Sequence, residues 1–382
     1  MMSGDFREFH DELRTVAREL LGKAGAVAVD WPALTRAGWT GLETADEFDG
    51  AAATFTETAI LLEEIGRAAA RTPYPAVAAT GIGALNLLAP STRRDEVLRE
   101  TVAGTALPVA VLAGDMVPAA GGETACAGTA GIVPPFQLVQ TGPRYLLSGT
   151  AAYVLAASSA TVLLVPSRTA DGRLGVAVVE SDATGLEVTE QPVVDETRSF
   201  GRVTALDVPL PSESFLSFAP GPAEPLRQLY DRAALAVACD SLGIAAAMLD
   251  ATVDYARVRE QFGRPIGSFQ AVKHACADML VDLTIARRLV TTALSATAEG
   301  ASDAGRAVSM AKSFTGEAAV RVAGRAMQLH GGLGYTWESG IHRYLKRATL
   351  DRTLYGSPAA HRRELAQRYK SGVHVHSTWS GV

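Results

Sequence analysis

Few side chains in this sequence stand where they could move a proton. Asp240 interrupts the apolar stretch "ALAVACDSLGIAAAML" (234–249), and a carboxylate there could act as a base if nothing else held it. His330 precedes Gly331 and Gly332 in "LHGGLGYTWE" (329–338), and it reads as a packing or hydrogen-bonding residue rather than a catalytic one. Tyr355, in "TLYGSPAAHRREL" (353–365), is a phenol with an ordinary pKa near 10, so it is a poor base at neutral pH. A cationic constellation, Arg257, Arg259, Arg264 and Lys273, crowds "YARVREQFGRPIGSFQAVK" (255–273). There a helix breaks at Gly263, and the Pro265–Gly267 turn restarts the chain with Ser268 as the expected N-cap. A cationic helix end beside a fresh helix N-terminus suits a phosphate or pyrophosphate, although a solvated helix hairpin would have the same pattern.

The elements that must position these groups follow from periodicity. "FREFHDELRTVARELLGKA" spaces Phe6, Phe9, Leu13, Val16 and Leu20 by three or four residues, one apolar helical stripe, and "FTETAILLEEIGRAAA" repeats the pattern. From residue 106 short β-branched runs broken by Gly, Pro, Asp and Ser predict a β-domain over 106–215. "PSESFLSFAPGPAEP" (211–225) is rich in Pro and Ser and reads as a linker. Long Ala-rich helices occupy 222–372, the third ending at the Gly331–Gly332 pair. The layout is α+β: an N-terminal helical domain (1–105), a β-domain and a C-terminal antiparallel four-helix bundle.

Composition narrows the function. The 35 basic and 41 acidic residues leave a net charge of −6, which offers no general affinity for nucleic acid. Cys126, Cys239 and Cys276 are odd in number, far apart and without a CxxC pair. They predict buried thiols in a reducing, cytoplasmic setting rather than a disulfide frame or a metal site. The charged start "MMSGDFREFHDELR" has no apolar core of a signal peptide, and no run of eighteen apolar residues predicts a membrane span. Exposed apolar faces on Ala-rich bundle helices predict a dimer or tetramer, and the basic stretch "HRYLKRATLDR" (342–352) predicts a solvated or inter-subunit face.

"YARVREQFGRPIGSFQAVKHACADM", "AMQLHGGLGYTWE" and, near the N-terminus, "LTRAGWTGLETADEFDGAAATFTETAILLEEIGR" together resemble the acyl-CoA dehydrogenase family over nearly the whole chain. The resemblance implies a helical domain, a β-barrel-like middle domain and a four-helix bundle, assembled as a tetramer. It also implies FAD as cofactor and α,β-dehydrogenation of an acyl-CoA thioester, a carboxylate taking the α-proton while flavin N5 takes the β-hydride. By that resemblance Arg259, Phe262, Gln270, Gln328, Gly331 and Gly332 would touch the ADP part of a neighbouring subunit's FAD, and an electron-transfer flavoprotein would take the electrons.

Three departures bear on the chemistry. The family's base, the Glu of a "YEGT"-like tetrapeptide, falls on Tyr355, and the alternative position on the first bundle helix falls on Ala233. Asp240 lies seven residues past Ala233, roughly 10 Å along the helix, too far for a substrate posed in the usual way. Asp240 or Asp231 could instead be buried against an arginine such as Arg232 or Arg325. In the β-domain, "VLAGDMVPAAGG" (111–122) replaces the flavin-binding loop, with Tyr153 and Leu155 where a Trp and a Thr would fall. Residues lent to a neighbour's FAD are kept while those serving the chain's own flavin and substrate are eroded. The expectation is the subunit without the base in a heteromeric acyl-CoA dehydrogenase of actinobacterial type. The alternatives are a self-sufficient flavoenzyme using Asp240 on an acyl-CoA or carrier-protein thioester, and a flavin-free binding scaffold.

Overall fold

The computed structural model describes residues 2–24, 28–114, 132–221 and 224–373, so Cys126 and positions 115–122 of the substituted flavin loop lie outside the described residues. The N-terminal part consists of α1 (Met2–Ala24), α2 (Trp31–Arg36), α3 (Phe55–Arg67), a π-helical stretch Ala76–Ile82 running into α4 (Gly83–Leu87), and α5 (Thr92–Val102). Thr54 and Glu57 form a reciprocal capping box that starts α3. α1 docks on α3 through His10 and Glu57 at 2.8 Å and through a two-point Arg18–Glu64 pair at 2.9 and 2.8 Å. Those pairs set the rotation of α1, so Ala17 and Leu21 are buried while Phe9 and Val16, expected inside, are exposed.

The middle part is one mixed eight-stranded sheet. Its strands are β1 (Pro108–Ala110), β2 (Phe136–Thr141), β3 (Arg144–Leu155), β4 (Val162–Thr169), β5 (Leu174–Glu180), β6 (Leu186–Glu190), β7 (Phe200–Pro211) and β8 (Phe215–Ser217). The order is β6-β7-β3-β2-β4-β5-β8, with β1 and β2 both parallel to β4; β6 and β8 end the order, and β8 is bonded on its outer side to Leu87 and Ala89. β8 lies in the stretch that reads as a linker. It pairs with β5 because Phe215 and Leu216 give it apolar anchors, Phe215 against Tyr145 with ring centroids 5.7 Å apart.

The C-terminal bundle is α6 (Pro225–Val258), α7 (Gln270–Ala298), α8 (Ala304–Leu329), α9 (Ile341–Thr353) and α10 (Pro358–Val373). By length and composition α6 could cross a membrane, but 89% of its apolar window is buried, so its hydrophobicity belongs to the core. α3 crosses α6 at two glycines. A Cβ on Gly66 would sit 2.1 Å from the Asp240 carbonyl oxygen, and one on Gly243 would sit 1.9 Å from that of Glu63. This contact brings the backbone of Asp240 against the N-terminal domain. Among the cysteines, Cys239 is buried and Cys276 is only partly so.

Candidate active site

Tyr355, Ala233 and Asp240 line one chamber, so the two base positions implied by resemblance and the candidate acid do converge. Their shared space is about 10 Å³, room for one water at most. Tyr355 is 3% exposed, its ring is edge-on to Tyr230 at 6.4 Å, and burial raises its pKa above the usual phenol value. It sits at φ +53°, an unusual conformation for a bulky residue, followed by Gly356 at φ +110°. Its backbone N–H donates to the Gly114 carbonyl at 3.0 Å.

Two buried side chains hold that turn from behind. Lys312 of α8, fully buried, donates from Nζ to the carbonyls of Asp351 (2.9 Å), Arg352 (3.3 Å) and Gly356 (3.0 Å). Burial lowers its pKa to about 7 even though nearby Asp351 favours its charge. His361 Nε2 lies 3.1 Å from the Tyr355 carbonyl and Nδ1 lies 3.2 Å from Ser309 Oγ; burial lowers its pKa to about 4, so the ring is neutral near pH 7.

Asp240 is not free. Arg347 of α9 donates to both its oxygens, Nε to Oδ2 at 2.9 Å and Nη2 to Oδ1 at 2.6 Å, and Arg198 Nη2 lies 2.9 Å from Oδ2. Arg347 also donates to the Ala70 carbonyl and to Thr197 Oγ1, both at 2.9 Å, so one guanidinium ties together all three parts of the chain. Burial alone would raise the Asp240 pKa, but the two guanidiniums outweigh it and push it down. The neighbouring Asp351, 2.8 Å from Arg198 Nη2, goes the other way because burial and the Asp240 charge both favour its protonated form. Burial therefore pushes Asp351 toward its protonated form while the guanidiniums hold Asp240 charged. An oxygen of Asp240 could take another proton only by giving up a charge-assisted bond. The arginines named from sequence are elsewhere: Arg232 pairs with Glu43 at 2.6 Å, Arg325 with Asp278 at 2.8 Å, and Asp231 with Arg227 at 2.9 Å.

The glycine pair and the cationic hairpin form a second feature. Tyr255 stacks on His330 with centroids 4.4 Å apart and planes 20° apart, joining the C-terminal ends of α6 and α8; His330 is thus a packing residue, its Nδ1 2.8 Å from the Ala326 carbonyl. α6 ends at Val258, before the expected break at Gly263. A two-residue ladder follows, pairing Gln261 with Arg264 and Glu260 with Pro265. At its tip Phe262 is held at φ +54° and is 92% exposed. α7 starts at Gln270 with no side-chain cap, because its N-cap is Phe269 rather than the expected Ser268, whose Oγ donates to the Pro265 carbonyl. Arg259, Gln270, Gln328, Gly331 and Gly332 are all exposed. A Cβ added at Gly331 or Gly332 would meet nothing within 4 Å; the φ of +59° at Gly331 favours glycine there, whereas no described atom demands the lack of a side chain at Gly332.

Comparison with known proteins supplies the family. The acyl-CoA dehydrogenase N-terminal domain model matches residues 1–105 and the C-terminal domain model matches residues 227–370. The chain is 31% identical to the acyl-CoA dehydrogenase IpdE2 of Mycobacterium tuberculosis over 86% of this chain and 81% of that protein. It is 30% identical to the probable acyl-CoA dehydrogenase YngJ of Bacillus subtilis over 82% of each. This chain belongs to the acyl-CoA dehydrogenase family. Among solved structures, the ChsE4–ChsE5 complex from Mycobacterium tuberculosis superposes with a TM-score of 0.81 and 25% identity, covering 97% of this chain and 98% of that one. A Tcur3481–Tcur3483 steroid ACAD variant gives 0.82 and 28%, covering 96% and 99%.

Within this acyl-CoA dehydrogenase fold, sequence reasoning missed the buried charges. Arg347 lies in the basic stretch expected to be solvated, yet it is 1% exposed. Nothing local marks it, since its partner is 107 residues away. Lys312 did carry a signal, as the single charge on the buried face of α8 made by Val308, Ala311, Thr315 and Ala319. Tyr153 is exposed at φ +53° on a bulge of β3, its N–H donating to Gln191 Oε1 at 2.6 Å.

Proposed function

We propose that this chain is the subunit without the base in a heteromeric acyl-CoA dehydrogenase, completing the FAD site of a Glu-bearing partner that performs the α,β-dehydrogenation. The observation that carries this reading is the chamber under Tyr355. It has about 10 Å³ of room, and its one carboxylate, Asp240, is committed to two guanidiniums. A thioester has neither space nor a base there. The opposite corner supports the other half of the reading. Arg259, Phe262, Gln270 and Gln328 are exposed, and so are Gly331 and Gly332, whose open backbone would fit an ADP group approaching from outside the chain. A bound FAD would supply hydride acceptance at the partner's substrate, and this chain's contribution would be contacts to its nucleotide end.

Exposed Leu280, Val281 and Ile285 on α7 give the bundle an apolar face for assembly. The heteromeric ChsE4–ChsE5 neighbour agrees with a mixed assembly, and the steroid acyl-CoA dehydrogenase neighbour points to a bulky acyl thioester as its substrate class. A cytoplasmic setting and an electron-transfer flavoprotein as acceptor belong to the same reading.

The test is co-expression with a Glu-bearing paralogue encoded beside it, followed by flavin content and acyl-CoA oxidation of each chain alone and together. The mixed complex should be yellow and active, and the chain alone should hold no stoichiometric FAD. Turnover by the isolated chain would sink the proposal. A complex that stays colourless would favour the flavin-free scaffold.

A further inference from the structure

The nucleotide corner has two halves, carried by different helices. One is the hairpin after α6, with Arg259 and Phe262, and the start of α7 at Gln270. The other is the end of α8, with Gln328, and the 3₁₀ turn Gly331–Tyr335. Each half is fixed to its own helix. The Arg259 N–H donates to the Tyr255 carbonyl at 2.9 Å, and the Ile266 N–H donates to the Arg259 carbonyl at 2.8 Å. Gly267 lies so close to α6 that a Cβ there would stand 2.9 Å from the Ala256 carbonyl oxygen. On the other side, a Cβ on Gly334 would stand 2.4 Å from the Met327 carbonyl oxygen, so the turn folds back on α8.

What joins the halves is narrower. The buried residues of α6 and α8 end at Ala256 and Ala326, and Val258 and Gln328 beyond them are exposed. Among the described residues, no hydrogen bond or ion pair runs from 259–268 to 331–335. The link is one ring pair. Tyr255, one turn before Arg259, lies flat on His330, the neighbour of Gly331, with centroids 4.4 Å and planes 20° apart. The His330 ring is buried and pinned, its Nδ1 2.8 Å from the Ala326 carbonyl, and Tyr255 Oη donates to the His330 carbonyl at 3.5 Å.

We propose that the Tyr255–His330 stack is the clasp that sets the distance between the two halves of the nucleotide corner, so that both are positioning residues for FAD. The inference rests on the reading that this corner is lent to the FAD of a partner subunit. A ligand that must touch both halves binds more weakly when their spacing is not set beforehand, because part of its binding energy goes into ordering them. An aromatic pair of this kind sustains roughly a threefold to tenfold difference in affinity.

The test is the FAD dissociation constant of the mixed complex, read by flavin fluorescence as FAD is titrated into the apo-complex. His330→Ala should weaken FAD by that factor. His330→Phe, which keeps a flat ring on Tyr255, should return the affinity to within about twofold of wild type. Tyr255→Leu should weaken FAD as much as His330→Ala does, and the double variant no more than either alone, since both remove one contact. Unchanged affinity in His330→Ala overturns the proposal. So does equal weakening in His330→Phe, which would mean that the imidazole itself meets the nucleotide. If His330→Ala does not fold, Tyr255→Leu carries the same expectation, with Tyr255→Phe as its rescue. Failure of both to fold also overturns it, because the stack would then hold the fold rather than the corner. A wild-type mixed complex that holds no FAD sinks the functional reading and this inference together. FAD held by wild type, with unchanged affinity in His330→Ala, sinks the clasp alone.

Discussion

Arg347 and Asp240, 107 residues apart in sequence, meet in a two-point pair of 2.9 and 2.6 Å at the junction of the three domains. The pair accounts for the acid in the apolar stretch of α6 and removes its oxygens from proton transfer. Removing one partner strands a buried charge, which costs about 3–5 kcal/mol, whereas replacing both by apolar residues is often neutral. Arg347→Met should therefore lower stability by that amount in urea denaturation, and Arg347→Met with Asp240→Leu should recover most of it.

Asp240→Asn separates the structural role from a catalytic one. The mixed complex carrying it should keep its FAD and its acyl-CoA oxidation rate while the subunit loses stability. A complex with normal flavin content and at least a hundredfold lower turnover would restore Asp240 as a base, that being about the smallest effect expected of a removed general base.

Gly332 tests the nucleotide corner without touching the fold. A Cβ there meets no described atom of this chain within 4 Å, so Gly332→Leu should change stability by no more than about 0.5 kcal/mol. The same variant should strip FAD from the mixed complex, read as the loss of flavin absorbance on gel filtration. Retained flavin would show that the pair faces solvent and not a nucleotide.

Lys312 makes stability depend on pH. Its pKa falls from 10.5 unfolded to about 7 folded, so between these values the unfolded chain binds the extra proton. Stability contributed by this group is thus lowest below pH 7 and rises with pH, by up to about 1 kcal/mol per unit. Lys312→Met should flatten the rise measured by denaturant midpoints between pH 7 and 9. An unchanged slope would mean that the ammonium keeps its charge on the three carbonyls.

Gly243 is a steric requirement. Its Cβ would stand 1.9 Å from the Glu63 carbonyl oxygen, so Gly243→Ala must push α3 off α6 and should cost about 3 kcal/mol. The companion Gly324→Ala, on α8 with open space around it, should be neutral or slightly stabilising.

The amino-acid sequence by itself determined the family and the order helices–strands–helices, and it marked Tyr355, Ala233 and the glycine pair as the positions to examine. Each of these is written in local periodicity or in a contiguous motif, so each survives without knowledge of any long-range contact. The tertiary structure alone decided what those residues face. The rotation of α1 was set by polar side-chain pairs to α3 rather than by its own apolar stripe, and β8 emerged from an apparent linker because β5 offered it an edge. The partners of Asp240, on α9 and on the β6–β7 connection, and the closure of the chamber beneath Tyr355, depend on three segments meeting at one point. Local propensity is blind to such a meeting, because burial and charge pairing belong to no single stretch of chain.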